Sequence, residues 1–342
     1  EDTTAEAAPV LMLHPLLHSN TSDLTEQRFS STFSGEEFFL TDHRVRMSDG
    51  VVQKLLPGAA CLEMARAAIE HALPSYQEAG NLELHNVVWL KPVVVTASKQ
   101  VSIALFADDD GGIDYELYTI EAEQKILHFQ GRARFSPPSA PARHDLDQLR
   151  RQMGKGRWEA AEVYSIFARM GLDYGPAHRG ITVVNLGEDQ VLAQLRLPEV
   201  VESSQYKYVL HPSLIDSALQ SAIGLIIDLN NIPTTPYLPF GVESLSIRSA
   251  CTKQMSARVR YSRGSKPGDK IVKFDIDLYD QHDNVCVQMR GFAFRILSGE
   301  IFRSGQNGMN LSKTPFDSAF YRNLIARVRS GEVSVDEAVE LG

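Results

Sequence analysis

Two stretches of the sequence place acid–base residue types where helices can use them. In FFLTDHRVRMSDGVVQKLLPGAACLEMA, His43 lies in a polar loop running toward the N-terminus of an apolar helix. A helix N-terminus offers free backbone N–H groups and a positive dipole end, suited to an oxygen gaining negative charge. An imidazole there has an ordinary pKa of about 6.5, appropriate for a base near neutrality. The same pattern also fits a structural or solvent-exposed histidine. In HPSLIDSALQ, Asp216 interrupts an apolar helix, where a lone carboxylate is costly unless paired, protonated or functional. Gln220, four residues on, shares its helix face. Burial raises a carboxylate's pKa, which would let Asp216 keep a proton and act as an acid. A capped, salt-bridged or solvent-facing aspartate would leave the same trace.

The elements that must hold these residues fall into two similar sets. In the first, residues 56–73 predict a helix with an apolar stripe of Leu62, Ala65, Ile69 and Leu73, and Glu63, Arg66 and Glu70 on a polar side. Pro57 suits its first turn, where a missing N–H costs nothing. Strand-like runs follow at 87–95, 101–107, 115–122 and 126–135, separated by turn signals such as DDDGG. Residues 136–145, rich in Pro, Ser and Ala, read as a linker between halves. A helix at 158–171 opens the second set, with an apolar helix at 211–226 and strands at 242–249, 257–262, 272–280 and 285–297. One helix followed by antiparallel-looking strands, twice over, is an α+β duplication and not a doubly wound sheet. A long helix wrapped by such a sheet is the hotdog arrangement, so the expected fold is a double hotdog. The expected boundaries are a linker remnant at 1–9, a first half at 10–140, a connection at 141–157, a second half at 158–298 and a tail at 299–342. Within that tail, residues 315–329 predict an amphipathic helix with Phe316, Phe320, Leu324 and Val328 on one face.

Composition narrows the function classes. The net charge of −9 over 342 residues argues against nonspecific nucleic-acid binding, which needs clustered Lys and Arg. Cys61, Cys251 and Cys286 are far apart without CxxC pairing, against a zinc site or disulfide framework and for a reducing cytoplasm. No apolar run reaches the roughly 18 residues of a membrane span. The opening EDTTAEAAP reads as linker from a longer polypeptide.

The motifs, taken together, resemble dehydratase domains of modular polyketide synthases, most of all those whose acyltransferase acts in trans. His43, Gly50 and Pro57 match a motif of His, Gly and Pro in order; GLDYGPAH (171–178) is close to GYxYGPxF; Leu238-Pro239-Phe240 matches LPF; and HPSLIDSALQ matches HPxLLDxxxQ. The His-to-Pro spacing of fourteen is longer than usual, which suggests a longer hairpin tip and puts Gly50 in question as the motif glycine. Cys61 and His178 stand where aromatic residues are common. The resemblance implies loss of water from a β-hydroxyacyl thioester, with His43 as base and Asp216 as acid, oriented by Gln220 and Tyr174. Backbone N–H groups near Gly58 would polarise the thioester carbonyl, with Pro57, Gly175 and Pro176 supporting the site. It implies no metal and no cofactor of the domain's own, since the substrate rides the phosphopantetheine arm of an acyl carrier protein. Neighbouring synthase domains and a second copy of the chain are the other implied partners. Arg179, Arg150, Arg151 and Lys155 are candidates for docking the acidic carrier. To stay protonated near neutrality, Asp216 would need its pKa raised by roughly three units from about 3.9. A double-bond isomerase, a pyran-forming cyclase and a non-catalytic carrier-docking domain are the rival readings.

Overall fold

The structure, a computed structural model, describes residues 12–296 except 48–49, 74–79, 138–142, 231, 268 and 270. The expected N-terminal linker, most of the interhalf linker's Pro/Ala stretch and the tail helix with Phe316 and Phe320 lie outside the described residues. The first half runs β1 (Ser19–Asn20), β2 (Gln27–Phe33), α1 (Phe38–Thr41), β3 (His43–Arg46), β4 (Val52–Lys54), α2 (Gly58–Ala72), β5 (Asn81–Trp89), β6 (Lys99–Ala107), β7 (Ile113–Glu121) and β8 (Gln124–Ser136). The second runs α3 (Leu146–Arg151), β9 (Gly156–Glu159), α4 (Ala160–Arg169), β10 (Leu172–Tyr174), β11 (Ile181–Leu186) and β12 (Gln190–Arg196). It continues through α5 (Pro212–Gln220), α6 (Ile223–Ile226), β13 (Tyr237–Ile247), β14 (Gln254–Tyr261), β15 (Lys273–Tyr279) and β16 (Val285–Ile296).

The architecture is a double hotdog whose two sheets are fused. All strands but three join one antiparallel sheet in the order β1-β2-β6-β7-β8-β5-β13-β16-β15-β14-β12-β11-β9, and the seam is the β5–β13 pair. Each half wraps one central helix, α2 or α5, and the two helices pack together. The remaining strands form a small sheet, β10-β3-β4, built from both halves.

Local chemistry explains where elements differ from expectation. The strand expected at 87–95 is β5 at 81–89; the Leu90 and Lys91 N–H groups turn to the His128 carbonyl, and Pro92 has none to offer. A bulge at Asn86 (φ +49°) shifts the pleat, so Leu82 and Leu84 and then Val87 and Trp89 all face the core. The helix expected at 211–226 breaks after Gln220. Ser217 and Ser221 hydroxyls donate to carbonyls four residues back, at 2.7 and 2.8 Å, which bends a helix. The helix expected at 158–171 begins at Ala160, because Trp158 pairs in β9 with β11.

Of the polar side expected for α2, Glu70 alone reaches solvent. Every residue from Ala59 to Ile69 is buried, Glu63 and Arg66 included. Arg66 donates to both Glu63 oxygens, at 2.8 and 3.0 Å, and the N–H groups of Val209 and Leu210 donate to the same carboxylate at 3.0 and 2.8 Å. His14 Nε2 lies 3.2 Å away. This ion pair rivets the first helix to the second half.

Candidate active site

His43 is the first residue of β3, not part of a loop. Its backbone pairs with Tyr174 of β10, and the Tyr174 ring stands edge-on to the imidazole at 5.6 Å. Its Nδ1 sits 2.9 Å from the Leu55 carbonyl. A carbonyl only accepts, so Nδ1 carries the hydrogen and Nε2 keeps its lone pair. Burial lowers the pKa of His43, outweighing the attraction of Asp216. The ring is therefore neutral and basic at Nε2.

Asp216, 5% exposed, projects from the middle of α5. Gln220 Nε2 donates to its Oδ2 at 2.7 Å, as the shared helix face predicts. His178 Nδ1 reaches the same oxygen at 3.1 Å. Oδ1 accepts no hydrogen bond among the described residues. The carboxyl pKa differs from expectation: burial raises it, but the His178 hydrogen bond, the His43 and His178 rings and Gln220 together bring it below the ordinary value. Asp216 is thus held ionised, because hydrogen bonds to the charged form outweigh desolvation.

His178 is the neighbour of Asp216 that sequence reasoning passed over. It is wholly buried, its ring 5.5 Å from that of His43, on a single 3-10 turn at Pro176–His178. The GLDYGPAH motif builds this turn. Gly175 N–H donates to the Asp42 carbonyl at 2.8 Å and Ala177 N–H to its carboxylate at 2.6 Å; any Cβ on Gly175 would overlap that carboxyl group. Asp42 directly precedes His43, so one junction sets both histidines. The available signal was a polar ring at a position reserved for an aromatic inside a buried motif.

A cleft opens between the halves, lined by His43, Asp216 and Gln220. Phe167, Met170, Leu172, Leu219, Ile223 and Phe294 supply apolar wall, and Lys91 and Arg295 also border it. Gly58, first residue of α2, lines it as expected; a Cβ there would come within 3.0 Å of Trp89 Nε1 and 3.1 Å of Pro239. Tyr174 lines it as well, but among the described residues makes no hydrogen bond to Asp216. Its ring packs against those of His43, Phe167 and Tyr164. Pro57, Gly175 and Pro176 do not line the cleft; Pro57 caps α2, and the other two build the turn. Gly50 (φ +82°) serves the β3–β4 hairpin, donating to the Met47 carbonyl, away from the cleft. This hairpin accounts for the long His-to-Pro spacing. Arg179 braces the turn through the Tyr174 carbonyl at 2.7 Å and stacks on Tyr164, whereas Arg150 and Lys155 pair with Asp147 and Glu188 at the surface. Among the described residues no group of three or more His, Cys, Asp or Glu is gathered as metal ligands would be, and no single helix is long and apolar enough to cross a membrane.

A histidine and an aspartate from opposite halves of a double hotdog line one apolar cleft, an arrangement on which acid–base chemistry can be built. Comparison with known proteins gives the family. Residues 14–120 match the family model of the polyketide synthase dehydratase domain, and 141–303 that of the polyketide synthase dehydratase N-terminal domain. The crystal structure of a trans-AT polyketide synthase dehydratase domain from Brevibacillus brevis superposes with a TM-score of 0.78 and 42% identity, covering 84% of this chain and 99% of that one. The dehydratase domain of RzxB from Pseudomonas fluorescens gives 0.72 and 29%, over 83% and 99%. Polyketide synthase PksN of Bacillus subtilis is 42% identical over 84% of this chain, which spans 5% of PksN. The chain belongs to the dehydratase domains of polyketide synthases.

Proposed function

We propose that this domain removes water from a β-hydroxyacyl thioester presented on the phosphopantetheine arm of an acyl carrier protein, within a longer synthase. The observation that carries the reading is the pairing in one cleft of a His43 imidazole and an Asp216 carboxyl whose Nε2 and Oδ1 have no hydrogen-bond partner among the described residues. His43 takes the α-proton, the Cα–H electrons form the double bond, and the β-hydroxyl leaves as water with a proton from Asp216. The proton gathered by His43 then returns to Asp216, so the cycle conserves protons. Because His43 is held neutral and Asp216 ionised, the productive state carries one more proton on the pair than the resting state does. The Gly58 N–H, without a partner among the described residues at the start of α2, faces the charge that develops on the thioester carbonyl. The reading calls on no metal and no cofactor of the domain's own; the arm belongs to the carrier.

Mass spectrometry of a carrier-bound β-hydroxyacyl substrate tests this. Loss of one water is expected with the wild type, and none with His43→Ala or Asp216→Ala. An isobaric product with a shifted double bond, or no change at all, refutes the reading.

A further inference from the structure

We propose that His178 is a positioning residue of this site: its Nδ1–H locks Asp216 by Oδ2, so that Oδ1 alone meets the β-hydroxyl. The proposal rests on the reading of Asp216 as the group that serves that hydroxyl. His178 does not line the cleft, so it acts through the carboxylate. It holds the aspartate in two ways. Its ring donates to Oδ2 at 3.1 Å, and its backbone carbonyl accepts a 3.1 Å bond from Gln220 Nε2, the other group on Oδ2. Tyr164 extends the chain, its hydroxyl donating to Gln220 Oε1 at 3.3 Å while accepting from the Ile181 N–H at 2.9 Å. Every member of this network is buried.

The choice of histidine has a cost that packing alone does not explain. An aromatic hydrocarbon would fill the space between Phe38 and His43, whose rings lie 6.3 and 5.5 Å away. Instead the chain buries a ring nitrogen, Nε2, with no partner among the described residues. An unmet polar atom in the interior is unfavourable, so the bond made at Nδ1 has to compensate. With both donors on one oxygen, the aspartate cannot swing to present the other.

The groups facing Asp216 are His43 from β3, His178 from the turn, Tyr164 from α4 and Tyr174 from β10, and both phenols are held protonated by burial. Removing His178 therefore takes away a donor that favours the ionised carboxylate and leaves Gln220 as the remaining donor on Oδ2 among the described residues. His178→Phe and His178→Asn, compared with Asp216→Asn, form the test, with the thermal midpoint checked for each. In His178→Phe, kcat should fall about ten- to a hundredfold with KM little changed, the loss of one charge-assisted hydrogen bond. The alkaline limb of its kcat/KM profile should also move to higher pH. His178→Asn, whose amide N–H can stand in for Nδ1–H, should restore most of kcat and return the limb. Wild-type kcat and limb in the Phe variant overturn the proposal; so does a fall in kcat with an unmoved limb and no rescue by Asn. If the Phe variant does not fold, Asn and Ala decide: Asn faster by tenfold or more supports the proposal, and equality overturns it. Turnover by Asp216→Asn would sink the reading of Asp216 itself, a separate result.

Discussion

Two buried carboxylates sit at the centres of the two halves, and their surroundings could hardly differ more. Glu63 on α2 has both oxygens engaged, with Arg66 on each, the Val209 N–H on one and the Leu210 N–H on the other. Asp216 on α5 has one oxygen engaged twice and the other not at all among the described residues. Both are held below the ordinary carboxylate range; for Glu63, burial pushes up but Arg66 and His14 bring it to about 2. Depth and charge state are thus the same in a structural group and in the proposed acid. What separates them is the hydrogen-bonding capacity left over, and which surface it faces.

The sharpest break of this comparison comes from truncating each carboxylate. Asp216→Ala should lower kcat by about a thousandfold or more while leaving the denaturation midpoint nearly unchanged, the range expected for losing a general acid. Arg66→Met should do the reverse, costing roughly 3–5 kcal/mol of stability by stranding Glu63, with kcat of the folded fraction intact. Urea titration beside steady-state kinetics reads both; exchanged phenotypes would undo the assignment of roles. Glu63 also sets an acid limit. Its folded pKa is depressed, so its contribution is complete above its unfolded value of about 4.3 and fades as pH falls toward about 2. Glu63→Gln should flatten that loss.

A second experiment sharpens the account of Asp216. The productive pair carries one proton, and this form disappears as pH rises past the pair's upper apparent pKa, which His43 burial holds below 6.5. On a soluble thioester, kcat/KM should fall about tenfold per pH unit between roughly 7 and 8. A profile that rises or stays flat there would mean that ionised Asp216 with neutral His43 is the working form, and that the hydroxyl receives its proton from His43. The smallest effect belongs to Gln220. With His178 still holding Oδ2, Gln220→Ala should reduce kcat only about three- to tenfold. A loss as deep as that of Asp216→Ala would place Gln220 in the chemistry.

Much of this was legible in the sequence, for reasons that also mark the limit. His43, Asp216 and Gln220 could be named because motif and helix spacing are local properties. The long β3–β4 hairpin followed from counting residues between His43 and Pro57. Glu63 and Arg66 misled, because a helical wheel assigns charge to solvent, whereas α2 is wrapped by its sheet and capped by the second half. The protonation of Asp216 misled for a related reason. Burial could be inferred from the apolar run, but the donor that offsets it arrives from a turn 38 positions earlier in the chain. Arg179 was legible only as an exposed charge, since nothing local reveals that its side chain is tied to the Tyr174 carbonyl.

The small sheet β10-β3-β4 has a consequence for how the domain comes into being. His43 pairs with Tyr174, 131 positions further along. During synthesis at about 5–20 residues per second, the base waits on the order of ten seconds before the strand that seats it exists. Over that interval the first half carries an unpaired β3 edge and an open apolar cleft wall, the features that invite wrong partners. Contacts of such long sequence separation are also the slow ones to close. In refolding, helix and strand signals should therefore return ahead of turnover, with the joining of the two histidines among the last events.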